Sequence, residues 1–168
     1  GMEEFTAEWI EKTNRIARAE GLDITVIQGS SPGNNAEIIE RELGGRIDLA
    51  FVDGLHTNEA VEADFESLVP FGHDETIYVF HDVLSFAMTE GLSKVISRHP
   101  MDARVFFSTP SGMAVALKNP PPQYETFCNV YGCNGLVQMI INSGLAAKEA
   151  EERAESANAT QPALRVPA

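Results

Sequence analysis

Two stretches decide the fold predicted for this chain: IDLAFVDGLH at residues 47–56 and TIYVFHD at residues 76–82. In each stretch a short apolar run ends on a polar cluster, and such runs are typical of strands buried in a parallel sheet. Residues 58–69, between them, carry apolar side chains at the spacing of one helical face. Strand, helix and strand then form a right-handed crossover unit, in which both strands end at the same edge of the sheet.

The polar residues that follow these two strands are the candidate functional residues: Asp53, His56, His81 and Asp82. Open α/β sheets bind ligands at the carboxyl ends of their strands, so we expect these side chains to share one rim. His81 and Asp82 are adjacent at a strand end. Strand alternation therefore predicts that only one of them points into the cleft.

The rest of the chain continues the α/β pattern on both sides of this unit. Periodicity, apolar runs and turn residues predict further helices over residues 6–20, 34–43 and up to 98, and strands over residues 22–27, 104–107 and 113–117. A tight turn joins the last two strands, so they form an antiparallel hairpin. The predicted fold class is α/β, with a mostly parallel sheet that gains this hairpin at one edge.

The predicted organisation has one domain and a long C-terminal extension. The α/β domain covers residues 3–118, and a Pro-rich connection covers residues 119–133. A C-terminal helix over residues 134–157 and a disordered tail over residues 158–168 follow. The apolar half of that helix, around residues 136–141, must be buried, either against the domain or in a homodimer.

Composition excludes several classes of partner. The chain has 168 residues, of which 43% are hydrophobic, so it is long enough for one domain with a core. Its formal net charge of −13 argues against nucleic acid, because neutralising phosphates requires clustered Lys and Arg. The 12 Lys and Arg are scattered, which also argues against an anionic membrane. Without a membrane-spanning run or a secretory signal, a cytoplasmic protein is expected.

The polar clusters resemble a known family. The motif DGLHT at residues 53–57, Asp64 in the next helix, and VFHDV at residues 79–83 resemble the class I S-adenosylmethionine-dependent methyltransferases. They are similar in particular to a small-molecule O-methyltransferase-like group, whose pattern reads D-G-D-H-S-Y, a helix with a central Asp, then F-H-D. The resemblance covers about residues 6–118. It implies a three-layer Rossmann-like sheet, S-adenosylmethionine as cofactor and a small-molecule methyl acceptor.

The resemblance also implies roles for individual residues. His56 or His81 would be the general base that removes the acceptor's proton. Asp53 would lie at the methyl-transfer centre, orienting the acceptor or a metal and contacting the cofactor. Ser30 and Ser31 follow a predicted strand at the position where the family contacts the adenine. For each residue a structural role, such as capping a turn or a helix, is the alternative.

Two departures from the family pattern change what is expected. The family's glycine-rich cofactor loop and the acidic residue after its second strand would precede the first helix, and the sequence carries neither there. The predicted sheet therefore lacks the first two family strands. The second departure is Leu55, which stands where the family often has a metal-binding acid. A Mg²⁺ site would rely on Asp53 and Asp82, with His81 as a third group.

Two other functions remain open from the sequence. Without the glycine loop, the chain could be a non-catalytic binding or assembly module derived from a methyltransferase fold. Two acids and two histidines also suit divalent metals in number, which leaves a metal-dependent hydrolase as a further alternative.

Overall fold

The computed structural model describes residues 7–106, 108–109 and 111–131. The helices are α1 (Ala7–Ala19), α2 (Asn35–Leu43), α3 (Asn58–Leu68), which continues as a 3₁₀ turn (Val69–Phe71), α4 (Thr89–Arg98) and α5 (Pro122–Tyr131). The strands are β1 (Leu49–Val52), β2 (Ile77–Phe80), β3 (Asp102–Phe106) and β4 (Met113–Leu117). Within the described ranges, each helix is too short or too polar to cross a membrane.

The four strands of the described chain form one mixed sheet in the order β1-β2-β4-β3. β1 and β2 are parallel neighbours, with Leu49 opposite Ile77, and α3 connects them. β4 runs antiparallel to both β2 and β3. The predicted crossover unit and the predicted hairpin are therefore confirmed. β1, β2 and β3 all point the same way, but only one pair of neighbours is parallel, so the sheet is mixed.

The first face of the sheet packs against α3 and α4. Phe65 in α3 is fully buried, and its ring lies 4.9 Å from that of Tyr78 and 4.7 Å from that of Phe80, centroid to centroid. Ala50 and Val52 of β1 pack against the same cluster. This aromatic contact fixes α3 against β2. It therefore also fixes the loop that precedes α3 and the turn that follows β2.

The second face of the sheet is only partly covered by the described residues. α5 packs on the β3–β4 half, where Tyr124 and Cys128 cluster with Phe106 and Leu117. The β1 side chains on this face are largely exposed. A complete third layer is therefore still a prediction.

The strand predicted over residues 22–27 is wrong. That segment has no regular secondary structure, and Leu22 and Ile24 are 52% and 53% exposed. The side chain of Asn14 in α1 bonds both backbone groups of Val26, at 2.7 and 2.8 Å. A strand needs a neighbouring strand for its N–H and C=O groups, and here a side chain takes that place.

The Pro-rich connection predicted over residues 119–133 contains a helix that the sequence pattern missed. α5 begins at Pro122, and proline is favoured in the first turn of a helix because its missing N–H is not needed there. The folded pattern therefore extends at least to Tyr131. The predicted C-terminal helix over residues 134–157 and the predicted tail lie outside the described residues.

Replacing Thr57 with alanine is expected to lower the free energy of unfolding by about 1 kcal/mol. Thr57 is the residue before α3, and its Oγ1 accepts a hydrogen bond from the Ala60 N–H at 3.1 Å. Urea unfolding would measure the loss, with Thr57→Ser as the matched control because serine keeps the hydroxyl. Equal stability of the alanine and serine variants would contradict the capping role.

Candidate functional site

The ends of β1 and β2 bring the predicted site residues together. Asp53 directly follows β1, and His81 directly follows β2, the parallel strand beside it. The His81 Nδ1 atom lies 3.3 Å from Asp53 Oδ1 and 3.2 Å from Asp82 Oδ1. The expectation that these strand ends share one rim is therefore met by the geometry.

The predicted alternation of His81 and Asp82 is wrong, because β2 ends at Phe80, before either residue. Asp82 has a φ of 58°, in the left-handed region that residues other than glycine rarely adopt. The chain turns sharply at this residue. The ligand atoms of His81 and Asp82 consequently lie within 4.8 Å of each other and of one in Asp53, and such backbone strain is often found at functional sites.

His56 completes the group from the loop before α3. Its Nε2 atom lies 3.4 Å from Asp53 Oδ1 and 3.4 Å from Asp82 Oδ2. Its ring stacks on that of Phe86, with centroids 4.3 Å apart. Asp53, His56, His81 and Asp82 thus form one group of two carboxylates and two imidazoles, called here the rim cluster.

The rim cluster has the chemistry of a base held by carboxylates. A carboxylate that accepts the N–H of one ring nitrogen leaves the other nitrogen as a proton acceptor. If the His81 Nδ1 carries the proton, its Nε2 is that acceptor, and in the described part of the chain no protein group bonds to this atom. The side chain of Asp82 is 19% exposed and that of His81 31%, so the group is accessible to a ligand.

The same group offers ligands to a divalent cation. Asp53, His81 and Asp82 each supply one ligand atom, and these atoms all lie within 4.8 Å of one another. Two carboxylates and an imidazole fit such an ion, and the imidazole favours a transition metal over Mg²⁺. Leu55 is 62% exposed and supplies no ligand.

The two serines predicted to contact a cofactor bond to other protein groups. Ser31 Oγ donates to Asp64 Oδ1 at 2.5 Å. The backbone N–H and the Oγ of Ser30 both bond Asn34 Oδ1. Ser30 and Ser31 are both exposed, but the bond of the Ser30 hydroxyl, at 3.2 Å, is longer than that of Ser31, so the Ser30 hydroxyl is the more readily available to a ligand.

Asp64 positions the loops on either side of the site. It is 4% exposed, and a Cβ built at Gly54 would lie only 3.1 Å from its Oδ2 atom. Through Ser31, Asp64 ties the loop before α2 to α3, and it leaves no room for a side chain at Gly54 in the loop that follows Asp53. The sequence marks Asp64 as part of the family pattern and, because it lies in the middle of a helix, predicts a structural role for it.

Two aromatic residues at the site were missed by the sequence analysis. Phe86 stacks on His56, and the ring of Phe51 lies 6.1 Å from that of His81. The Phe86 loop is held by Asn58, which donates to the Ala87 carbonyl at 3.2 Å and accepts from the Gly91 N–H at 2.8 Å. No local pattern signals this contact, because it depends on how that loop returns to α3.

Residues 3–83 match the family model described as a methyltransferase domain. The matched range contains β1, α3, β2 and all four residues of the rim cluster. The match covers slightly less than half of the chain and supports a methyltransferase-like domain there. No match was found among curated proteins.

Proposed function

We propose that this chain acts in an S-adenosylmethionine-dependent methyltransferase that methylates a hydroxyl group of a small molecule. One observation carries the proposal. The rim cluster, a pair of imidazoles held by two carboxylates, lies at the carboxyl ends of β1 and β2 inside the residues matched by the methyltransferase domain. The exposed ring of Phe86 stacks on His56 and offers an apolar surface for the acceptor.

In this proposal the residues of the chain align the acceptor and take its proton. S-adenosylmethionine, when bound, supplies a methyl group on a sulfonium, which is already a strong leaving group. His81 donates its Nδ1–H to Asp53, with Asp82 Oδ1 3.2 Å from the same nitrogen, and its Nε2 accepts the hydroxyl proton of the acceptor. Fixing the donor and acceptor in line provides the rest of the rate enhancement, since orientation alone is worth several kcal/mol.

The proposed cofactor contacts are Ser30 and Asp53. Ser30 is exposed in the loop before α2, and Asp53 lies at the end of β1. Ser31, which was also predicted to contact the cofactor, acts instead by holding Asp64. Its proposed role is therefore to position the loop before α2, and not to bind the cofactor.

A metal-assisted version of the same reaction assigns the residues differently. Asp53, Asp82 and His81 would then hold a divalent cation such as Mg²⁺ or Mn²⁺ that orients the acceptor oxygen. A ring nitrogen that binds a metal cannot also donate to a carboxylate, so the base would be His56. The two versions therefore differ in which histidine takes the proton.

The full-length chain is expected to bind S-adenosylhomocysteine, the reaction product, with a Kd in the micromolar range, about −8 kcal/mol. Calorimetric titration measures this directly, because the product binds without turnover. Asp53→Ala is expected to weaken binding. Asp48→Ala is the matched control, because Asp48 precedes β1 at the opposite end of the strand and its side chain is 81% exposed. Absence of binding up to millimolar concentrations would contradict the proposal.

A second function is favoured by the internal hydrogen bonds of the two serines predicted to contact a cofactor. Ser31 Oγ donates to Asp64 Oδ1, and Ser30 Oγ donates to Asn34 Oδ1. A non-catalytic binding module derived from the methyltransferase fold is therefore the alternative. A folded chain that fails to bind the product in the titration above would favour this second function.

A further inference from the structure

An apolar patch lies uncovered on the second face of the sheet. Leu49 and Phe51 of β1 are paired in register with Ile77 and Val79 of β2. Leu49 is 60% exposed, Phe51 55% and Ile77 37%. These four residues are called here the open face.

The open face continues the surface on which α5 already packs. Ile77 is opposite Leu117 and Val79 is opposite Val115 in the register of β2 with β4. Directly opposed residues lie on the same side of a sheet. Leu117 and Val115 belong to the apolar cluster formed with α5. One half of this sheet face is therefore covered by α5, and the other half is the open face.

We propose that residues 136–141 of the same chain pack on the open face and complete this layer. The segment reads LVQMII, five of whose six residues are apolar. It follows α5, which ends at Tyr131, and the Tyr131 carbonyl accepts a bond from Ser108 just beyond β3. β3 and β2 point the same way, so the chain leaves α5 at the end of the sheet where β2 also ends.

The connection is long enough for this placement. Tyr131 and Leu136 are five residues apart, and five residues span up to about 17 Å when extended. Three strand spacings, from β3 across β4 and β2 to β1, amount to roughly 14 Å. This length is enough for the segment to reach both strands of the open face.

A second copy of the chain is the weaker candidate for this surface. The net charge of −13 makes two copies repel each other. A fully exposed aromatic side chain offers about 200 Å², so the four partly exposed side chains of the open face offer at most roughly 400 Å². A specific dimer buries about 800 Å² on each partner. A segment of the same chain needs less area, because it is already held nearby at high effective concentration.

Cross-linking of the full-length chain tests the proposal. Phe51→Cys and Ile140→Cys are combined with Cys133→Ser, while Cys128 is fully buried and is kept. A short bifunctional maleimide is expected to link the two new cysteines within one chain, at about tenfold higher yield than in a control pair. The control is Lys94→Cys with Ile140→Cys, since Lys94 is exposed on α4, which covers the opposite face.

Each outcome of the cross-linking decides the question. A link within the monomer, identified by intact mass and peptide mapping, supports the proposal. A link between two chains assigns the open face to a homodimer and overturns it, as does a yield equal to that of the control. If the cysteine variants do not fold, Ile140→Asp in the otherwise unchanged chain is expected to speed hydrogen exchange at the Ala50 and Val52 amides, which bond to β2 beneath the open face. Unchanged exchange there overturns the proposal as well.

Discussion

Replacing His81 with alanine is expected to lower kcat/KM for methyl transfer by about 10²–10⁴-fold. The His81 Nδ1 atom lies 3.2–3.3 Å from the carboxylates of Asp53 and Asp82. The substitution leaves two carboxylates facing the acceptor and removes the group proposed to take its proton. The measurement is release of S-adenosylhomocysteine with a panel of small hydroxyl-bearing acceptors, using the one that is turned over fastest.

A matched control for this prediction lies at the other end of the same strands. His73 is also a histidine held by a carboxylate, with its Nε2 atom 2.8 Å from Asp48 Oδ1. His73→Ala is expected to leave kcat/KM unchanged. An unchanged kcat/KM in His81→Ala would instead contradict the role of His81.

His56→Ala distinguishes the metal-free reaction from the metal-assisted one. If His81 is the base, a chelator has no effect and His56→Ala causes the smaller loss. If Asp53, His81 and Asp82 bind a cation, the chelator abolishes turnover and His56→Ala causes a loss of the size expected for a base. The chelator and the two histidine variants together thus assign the proton acceptor.

The crossover unit and its rim could be predicted from the sequence because both depend on local patterns. Two apolar runs separated by a helix-length segment can pair as parallel neighbours through a crossover, and such topology sends both carboxyl ends to one edge. The residues that follow the runs must then meet there. For this reason Asp53 and His81 could be placed together without any knowledge of side-chain geometry.

The details of the site depend on contacts that no local pattern encodes. The left-handed conformation of Asp82 brings it beside His81, whereas strand alternation would have separated the two. Phe86 reaches His56 only because Asn58 holds its loop at Ala87 and Gly91. Tertiary contacts of this kind override the preferences of single residues.

The two errors in the predicted elements have the same origin. Residues 22–27 have the alternating pattern of a strand, but this pattern is effective only beside a neighbouring strand. For α5 the error was the reverse, because a helix was not predicted where one forms. The prolines at its start indicate a linker when only the local sequence is considered. Pro122 in fact occupies the first turn of a helix whose buried residues, Tyr124 and Cys128, pack on the sheet.

Replacing Phe65 with alanine is expected to cost about 3–5 kcal/mol in the free energy of unfolding, a large part of the stability of a small domain. Phe65 is fully buried, and its ring contacts those of Tyr78 and Phe80. Alanine leaves a cavity between α3 and β2 that this rigid packing cannot fill. Urea unfolding followed by circular dichroism gives the loss.

Two further variants show whether the cavity is the cause. Phe65→Leu keeps most of the volume and is expected to cost less than half as much. Trp9→Ala removes an aromatic ring that is 57% exposed, so it is expected to change stability by about 0.5 kcal/mol or less. A cost for Phe65→Ala no larger than that for Trp9→Ala would contradict the packing described here. Asp64 precedes Phe65 in α3 and accepts a hydrogen bond from Ser31, so movement of the helix into the cavity would also displace the loop before α2.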